Sequence, residues 1–419
     1  MAYYRSLGNV PKKRHVQHRR DSGEFYYEEL MGEEGFSSDS SLLYHKYVPA
    51  SITAAEVWEL NDHTTVPNHP LKPRHLKLHN LFPEETWADT DMVLGRRLIL
   101  ANSDVRLQYA VGTKTSPLYK SGIGDEMVYI ESGTMRVETV FGAIDGVKGD
   151  YINIPRATIH RFVPTGDEPV RAYFIEASSH IGPPSRYLSK FGQLLEHSPY
   201  CERDIHGPTE LLLAEDEEGP VDVYVKTFGS TGYVGTKTTV PYHPFDVVGW
   251  DGTLYPWKMS IHDYEPITGR IHQPPPAHQV WEGHNFVVCN FVPRMVDYHP
   301  LAIPVPYYHA NVDSDEIMFY VDGDYEARKG SGINKGSISI HPGGHTHGPQ
   351  PGAIESSLGV QYFEELAVMV DTFKALELGE GALACEDPEY SWSWAKMDAA
   401  RKEAGRATLT EAPMTTGTE

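Results

Sequence analysis

Apolar and polar residues alternate in short runs along much of the chain. Such runs occupy residues 134–140, 151–154, 221–225 and 337–340, and each is bounded by Gly, Pro, Asp or Asn. A period of two residues with frequent turns is typical of antiparallel strands. Helical periodicity is weak almost everywhere. The pattern therefore predicts a β-dominated protein, built as sandwiches or barrels with few short helices.

Three segments depart from this alternation. Residues 184–196 have the spacing of a short helix. Residues 364–378 fit either a helix or a long buried strand through 366–370, and we favour the strand. Large apolar residues are few near the end of the chain, which predicts a disordered tail over 397–419.

The composition and net charge of the chain limit the kinds of partner and the cellular compartment that we expect for it. The chain has 419 residues, 36 Lys plus Arg and 58 Asp plus Glu, for a net charge of −22. This excess argues against nucleic-acid and anionic-membrane partners, which select clustered basic residues. Three scattered cysteines, no apolar leader and no membrane-length apolar run predict a protein of the reducing cytoplasm.

One region concentrates residues that can bind a metal. Ten of the 21 histidines lie between His243 and His347. Within this region, His309 precedes Glu316 by seven residues, and His347 follows a Pro-Gly-Gly turn after an alternating run. Two imidazoles and one carboxylate on one face of a ferrous ion leave positions open for oxygen chemistry. Adjacent strands of a barrel can bring these three side chains together at its mouth.

The same region resembles the double motif of cupins, small barrels of the double-stranded β-helix or jelly-roll type. Eight positions fit the two motif segments without a gap. They are His309, Asn311, Glu316, Gly323, Gly336, Pro342, Gly344 and His347. Asn311 stands where many cupins have a second histidine, which leaves two His and one Glu as ligands. Asp313 and Asp315 remain alternative carboxylate ligands at this point.

A second, degenerate copy of the motif lies upstream. Glu126 is followed by Gly133 at the same spacing, and His160 ends a segment similar to the one that ends in His347. The position that corresponds to His309 is Tyr119, so this copy has lost ligands. We predict a two-cupin protein with a structural N-terminal cupin domain over residues 1–240 and a catalytic cupin domain over 241–396.

Longer stretches resemble the homogentisate 1,2-dioxygenase family. They are PYYHANVDSDE, GDYEARKGS and SISIHPGGHTHGP around the motif, with looser matches in FYYEELMGEEGFSSDSSLLYH, FVPR, ESSLG and CEDPEYSWSW. The resemblance spans nearly the whole chain, although this sequence has one residue more between the first His and the Glu than better-known members have.

The resemblance implies an activity and the residues that perform it. His309, Glu316 and His347 would hold Fe(II), and the substrates would be a small aromatic acid and O2. His341 matches a histidine that lines the substrate pocket, and Tyr325 matches a tyrosine that contacts the substrate. It further implies ring cleavage of homogentisate to maleylacetoacetate in tyrosine and phenylalanine catabolism, by a homo-oligomer, a trimer or hexamer.

The identity of the acid/base group and of the substrate stays open at the level of sequence. His272 matches a histidine proposed as acid/base, and His278 is its rival. Other two-cupin dioxygenases act on gentisate or hydroquinone rings. A metal-dependent isomerase and a non-catalytic two-cupin protein are alternatives from other classes, which O2 uptake would separate from the dioxygenases.

Overall fold

The computed structural model describes residues 3–61, 63–214, 218–230 and 232–411. Strands dominate it and are joined by turns and short 3-10 segments, as the alternating pattern predicts.

The strands, in chain order, are β1 (Arg5–Gly8), β2 (Tyr27–Gly32), β3 (Ser40–His45), β4 (Ala54–Trp58), β5 (Val66–Pro67), β6 (Arg74–Lys77), β7 (Arg97–Ala101), β8 (Val105–Gly112), β9 (Leu118–Ser121), β10 (Glu126–Ser132), β11 (Thr134–Thr139), β12 (Gly142–Val147), β13 (Asp150–Ile154), β14 (His160–Pro164), β15 (Val170–Ala177), β16 (Glu218–Gly229), β17 (Gly232–Tyr242), β18 (Val247–Gly252), β19 (Trp257–Ser260), β20 (Gln279–Gly283), β21 (Phe286–Phe291), β22 (Arg294–Met295), β23 (Asp315–Asp322), β24 (Ser337–His341), β25 (Tyr362–Phe363), β26 (Leu366–Thr372), β27 (Glu377–Leu378) and β28 (Glu386–Asp387). The α-helices are α1 (Ala353–Ser357), α2 (Glu380–Cys385) and α3 (Ser393–Glu411).

The N-terminal half contains two large sheets. One has the strand order β19-β13-β10-β15-β8-β7-β27-β5, and the other has the order β12-β11-β14-β9-β16-β17-β4. A smaller sheet, β1-β18-β3-β2, lies beside them. Almost every residue of β8, β10, β13 and β15 is buried, because these strands are covered on both faces.

The C-terminal half is built on one seven-stranded sheet, with the order β20-β21-β26-β23-β24-β6-β28. Phe319 on its central strand β23 contacts three buried tyrosines of the N-terminal half, Tyr109, Tyr129 and Tyr173, with ring centroids 4.9 to 6.4 Å apart. Since these rings belong to one continuous apolar cluster, the two halves share a core.

Strand register shows that the two halves repeat one pattern. Glu316 pairs with His341 across β23 and β24, as Glu126 pairs with Ile154 across β10 and β13. An isolated bridge joins His309 to His347, and the matching bridge in the upstream half joins Tyr119 to His160. The degenerate motif is therefore a structural copy, position by position.

The halves also exchange edge strands. β6, from the N-terminal half, pairs with β24 and β28 of the C-terminal sheet. In return β27 pairs with β7 and β5 of the N-terminal sheet. Strands β18 and β19, which follow residue 240, pair with β3, β1 and β13. The domain limits at 240 and 241 stay a prediction, and the described strands interlock across them.

The structure corrects two of the segment predictions. The helix predicted over 184–196 is wrong, because only Ser185–Tyr187 forms a 3-10 turn before an irregular loop. The strand predicted through 366–370 is confirmed as β26. The tail predicted to be disordered from 397 is helical as far as Glu411, as part of α3, while residues 412–419 lie outside the described part of the chain.

Within the described residues, no helix combines the length and apolar character needed to cross a membrane.

Candidate metal centre

Three side chains converge where β23 begins. Glu316 is the second residue of β23, whose register with β24 and β26 fixes the direction of its side chain. His309 and His347 lie in loops that pair through two reciprocal backbone hydrogen bonds of 2.8 Å. Gly344 adopts a φ of 76° in the Pro-Gly-Gly turn, and its N–H donates to the carbonyl of Asn311 at 2.6 Å. The turn thereby joins the two loops, and it requires a glycine at this φ.

The ligand atoms of His309, Glu316 and His347 all lie within 4.8 Å of one another. The Nε2 atom of His309 is 3.4 Å from Glu316 Oε2, and the Nε2 atom of His347 is 3.2 Å from Glu316 Oε1. Asn311 Nδ2 donates to the same carboxylate at 3.4 Å. The two imidazoles and the carboxylate predicted from the motif spacing are thus gathered at one point.

Both histidines are oriented as metal ligands. The Nδ1 atom of His309 lies 3.1 Å from the carbonyl of Tyr307, and that of His347 lies 3.1 Å from the carbonyl of His345. Such a carbonyl holds the proton on Nδ1 and leaves Nε2 with a free lone pair. The Nε2 atom of His347 is buried without a hydrogen-bond partner. The residues present therefore fit a divalent metal ion bound by two nitrogens and one carboxylate.

The carboxylate of Glu316 is held in its charged form. Burial alone would raise its pKa, but the close approach of the imidazoles of His309, His341 and His347 holds the pKa of Glu316 well below its ordinary value. The same carboxylate raises the pKa of His309. A charged carboxylate oxygen beside imidazole nitrogens suits a hard-to-borderline cation.

The alternative carboxylates do not face this cluster. Asp315 accepts backbone hydrogen bonds from Gly343 and Leu376, each at 2.7 Å, so both of its oxygens are used in fastening loops. Asp313 is exposed. Because successive strand residues point to opposite faces, Asp315 and Glu316 point apart, and the register favours Glu316.

His341 lies behind the cluster, not in the pocket wall. Its side chain is completely buried, its ring stacks on His347 at 4.0 Å, and its Nδ1 is 3.0 Å from Glu316 Oε1. Its Nε2 is 3.1 Å from the hydroxyl of Tyr390. The expectation that His341 lines the pocket is wrong for this geometry, because β24 directs it into the core; its predicted catalytic role stays a prediction.

A cavity of about 170 Å³ opens on the cluster and includes His309, Glu316 and the predicted residues Tyr325 and His272. The Tyr325 hydroxyl donates to the carbonyl of Leu366 at 3.3 Å. His272 Nδ1 is 3.4 Å from Asp297 Oδ2. The rival His278 also lines the cavity, where it stacks on Phe291 at 4.6 Å.

Some residues of the site were not expected from the sequence. Asp371 on β26 pairs in register with Glu316, and burial together with the charge of Glu316 raises its pKa well above its ordinary value. Arg328 lines the cavity, and Trp394 of α3 donates to the carbonyl of Gly348 beside it. In the sequence, Asp371 could have been identified because it is a charged residue within the apolar run 366–372.

In the upstream copy a guanidinium stands beside the matching glutamate. Arg96 donates through both terminal nitrogens to Glu126, and one of these contacts measures 2.9 Å. Although burial raises the pKa of Glu126, the charge of Arg96 holds it far below its ordinary value. His160 is 3.8 Å from the same carboxylate. A fixed side-chain cation thus compensates the buried carboxylate there.

Two family models match the chain. Residues 49–261 match the N-terminal part of homogentisate 1,2-dioxygenase, and residues 275–401 match its C-terminal part.

Proteins of similar sequence support the match to homogentisate 1,2-dioxygenases. A provisionally named dioxygenase of Saccharolobus solfataricus is 38% identical over 94% of this chain and 99% of its own length. The homogentisate 1,2-dioxygenases of Bradyrhizobium diazoefficiens and Emericella nidulans are 28% and 24% identical over 64% and 70% of this chain. Those matches span 60% and 64% of the two enzymes, less than two thirds of their lengths.

Solved cupin structures are also similar. A cupin 2 conserved barrel domain protein from Leptotrichia buccalis aligns over 74% of this chain and 99% of its own, at 11% identity and a TM-score of 0.31. A cupin-2 domain containing protein from Shewanella frigidimarina aligns over 24% of this chain and 87% of its own, at 17% identity and a TM-score of 0.20. The strand content and the repeated strand register of the two halves confirm the predicted β-dominated fold class.

Proposed function

Since the chain belongs to the homogentisate 1,2-dioxygenase family, we propose that it is an Fe(II)-dependent, extradiol-type dioxygenase. The reaction adds both atoms of O2 to homogentisate and opens the aromatic ring to give maleylacetoacetate. The observation that carries the proposal is the cluster of His309, Glu316 and His347, whose ligand atoms lie within 4.8 Å of one another at a cavity.

His309, Glu316 and His347 would hold the iron. When bound, a ferrous ion in such a site supplies open positions at which a phenolate and O2 meet, and it shares electron density between them. His341 acts as a positioning residue, because it holds one oxygen of Glu316 and stacks on His347. Asn311 holds the other oxygen.

The cavity provides a mixed surface for an aromatic ring. Apolar side chains line part of its wall, among them Phe291, Met318, Phe363 and Met369. These groups remove the ring from water, while the polar groups near Glu316 determine which edge faces the metal ligands. Tyr325 keeps its proton because burial raises its pKa; the hydroxyl donates to the Leu366 carbonyl, and its oxygen can accept a hydrogen bond from the substrate.

His272 is the better candidate for the base that removes the phenolic proton. Asp297 beside its Nδ1 favours the tautomer that leaves Nε2 as the proton acceptor. Burial lowers the pKa of His278 to about 3, so that imidazole is a poor proton acceptor near neutral pH. Nearby Arg294 also opposes protonation of His278.

The family resemblance also supports three broader proposals. We propose that the protein is a homo-oligomer, a trimer or hexamer, that acts in the cytoplasm. We further propose that its reaction belongs to tyrosine and phenylalanine catabolism.

The test is oxygen consumption by protein loaded anaerobically with Fe(II). Homogentisate, gentisate and hydroquinone are supplied at equal iron occupancy, and the ring-opened product is followed by its ultraviolet absorbance. We expect O2 uptake and product with homogentisate and much slower uptake with the other two. Preference for gentisate or hydroquinone would replace the proposed substrate, and absence of O2 uptake with all three would overturn the dioxygenase proposal.

His272→Gln tests the assignment of the base. It should lower kcat with homogentisate by about 100-fold, within the range for losing a general base, while iron content stays that of the wild type. His278→Gln serves as the matched control. An equal or larger loss of kcat in the control would transfer the role to His278.

A further inference from the structure

Arg328 is a cation built into the wall of the cavity. Its Nη1 donates to the carbonyl of Gly348 at 2.6 Å, and Gly348 directly follows His347. Its Nε donates to the Tyr320 hydroxyl at 3.1 Å, and Tyr320 lies on β23, the strand that carries Glu316. Both anchors therefore fix the guanidinium next to the metal cluster.

The charge of Arg328 has no counter-ion at contact distance. Among the described residues, no carboxylate lies within 4.0 Å of its guanidinium, and its Nη2 makes no hydrogen bond. The carboxylate of Glu316 acts on Arg328 from beyond contact distance. Part of its surface is accessible, and since Arg328 lines the cavity, water or a ligand reaches it from there.

Two other basic groups of this cavity are paired with carboxylates, while one carboxyl oxygen of Asp371 has no hydrogen-bond partner among the described residues. Arg294 donates to Glu365 at 2.7 Å, and His272 lies 3.4 Å from Asp297. Of the described arginines that line the cavity, Arg328 alone has no carboxylate at contact distance, and a guanidinium without an anion beside apolar walls favours an anionic ligand.

We propose that Arg328 is a specificity-determining residue that binds the carboxylate of the aromatic substrate. The inference rests on the proposed function, because it assumes that the ring enters this cavity. A planar guanidinium can donate from Nη2 to a carboxylate oxygen while Nη1 and Nε keep their protein partners. The substrate class is then a dihydroxylated aromatic acid, with a phenolic oxygen at the His309–Glu316–His347 end and a carboxylate at Arg328.

Neutral substrate analogues isolate this interaction. The acid is 2,5-dihydroxyphenylacetate, and the neutral probe is 2,5-dihydroxyphenylacetamide. Dissociation constants for both are measured anaerobically by titration calorimetry on Fe(II)-loaded and on metal-free protein. KM and kcat follow from O2 uptake. The variants are Arg328→Met, which removes the charge, and Arg328→Lys, which keeps it without the planar donor set.

A control for the loss of one positive charge lies next in the chain. Lys329 is exposed and does not line the cavity. Lys329→Gln therefore changes the net charge as Arg328→Met does but leaves the cavity wall intact. Iron content and melting temperature of every variant verify that the fold and the metal site remain.

Wild-type protein should bind the acid at least 10-fold more tightly than the amide. Arg328→Met should weaken acid binding by about 10- to 100-fold, the usual worth of a charge-assisted hydrogen bond, and change amide binding less than threefold. Arg328→Lys should restore part of the preference for the acid over the amide, and Lys329→Gln should keep the full wild-type preference.

Two results would overturn the inference. One is equal binding of the acid and the amide by the wild type. This test needs no variant, so it is valid even if Arg328→Met does not fold. The other is an equal loss for acid and amide in Arg328→Lys. By contrast, a clear acid preference in the anaerobic titration together with no O2 uptake would overturn the proposed reaction and support the carboxylate subsite.

Discussion

Two adjacent carboxylates at the start of β23 point in opposite directions and make different contacts. Glu316 faces the imidazoles of His309 and His347, whereas Asp315 fastens the backbone of Gly343 and Leu376. Sequence spacing alone leaves both as ligand candidates, since they are adjacent. The alternation of side chains along the strand separates them, and the structure shows which of them faces the cavity.

Glu316→Gln should abolish iron binding, because it removes the only charged ligand of the cluster, and O2 uptake should disappear with it. Metal analysis after anaerobic loading measures this. Asp315→Asn is the matched control: it should retain iron and lower the free energy of unfolding by about 1–3 kcal/mol, the cost of weakened buried hydrogen bonds. Iron retained in the first variant and lost in the second would reverse the ligand assignment.

A second residue-scale prediction concerns His45, far from the metal cluster in sequence. Burial alone would lower its pKa, but hydrogen bonds to Asp246 and Glu29, at 2.7 and 3.0 Å, raise the pKa of His45 to about 9. A histidine whose pKa is raised on folding stabilises the fold fully below its unfolded pKa near 6.5. That contribution is lost as pH rises through about 9.

Between pH 6.5 and 9 the wild type should therefore lose roughly 3 kcal/mol of unfolding free energy through His45. Urea unfolding at several pH values measures the slope. His45→Gln should remove this part of the slope, while His284→Gln, at an exposed position, should leave it unchanged. Identical slopes in wild type and His45→Gln would show that the buried ion pairs do not act as described.

The sequence could predict that His309, Glu316 and His347 converge, because motif spacing ties them to the ends of strands. Gly323 illustrates this: its φ is 88°, and a Cβ there would meet the Glu364 carbonyl at 1.5 Å, so the spacing from Glu316 to a glycine is a packing requirement. Arg96 and Arg328 could not be predicted in the same way. Arg96 lies beside the Glu126 carboxylate, whereas Arg328 has no described carboxylate at contact distance; no local pattern encodes either arrangement.

At the scale of elements, exchanged edge strands hold the two halves together. β6 completes the sheet that carries Glu316 and His341, and β27 completes the sheet of the N-terminal half. Leu76 on β6 is fully buried between β24 and β28. The alternating pattern identifies strands of this kind, but their partners lie hundreds of residues away, so pairing cannot be read from local sequence.

Leu76→Ala should lower the free energy of unfolding by about 2–5 kcal/mol, because a cavity forms at the junction of the halves. Chemical denaturation measures the change. Leu301→Ala is the control, since that side chain is 84% exposed, and its effect should stay within about 0.5 kcal/mol. A loss at Leu76 no larger than that of the control would mean that β6 is not part of the shared core.

The helices are the elements for which the local sequence pattern gives wrong predictions. The apolar spacing of residues 184–196 suggests a helix, but prolines precede it and the loop folds around a 3-10 turn at Ser185–Tyr187. The segment after residue 397 was expected to be disordered because it is poor in large apolar residues. Its helix α3 begins earlier, and there Trp394 and Ser393 dock against Gly348 and Gln350. Tertiary contacts at the first turn therefore anchor a helix that is rich in strong helix formers but has few large apolar residues.

At the scale of the whole molecule, metal binding and folding are linked. The ligands come from one strand and two loops, so they are assembled only in the folded chain, and a metal that binds the folded state stabilises it. Loading with Fe(II) at about 100 times its dissociation constant should add about 2.7 kcal/mol of stability.

Anaerobic calorimetry with and without Fe(II) tests this linkage. The melting temperature should rise on loading and return to its starting value when a chelator is added. His309→Ala removes one Nε2 ligand and should show no rise, whereas His284→Gln should show the rise of the wild type. An equal rise in His309→Ala would place the bound metal elsewhere.

The strand exchange also imposes an order on synthesis. β6 leaves the ribosome early, but its partner β24 begins about 260 residues later, which corresponds to roughly 13 to 52 s at the usual rates of translation. During this interval Leu76 and its neighbours have no sheet to join. The nascent N-terminal half therefore has an unpaired strand edge throughout this interval, and such an edge can pair with other chains until β24 is made.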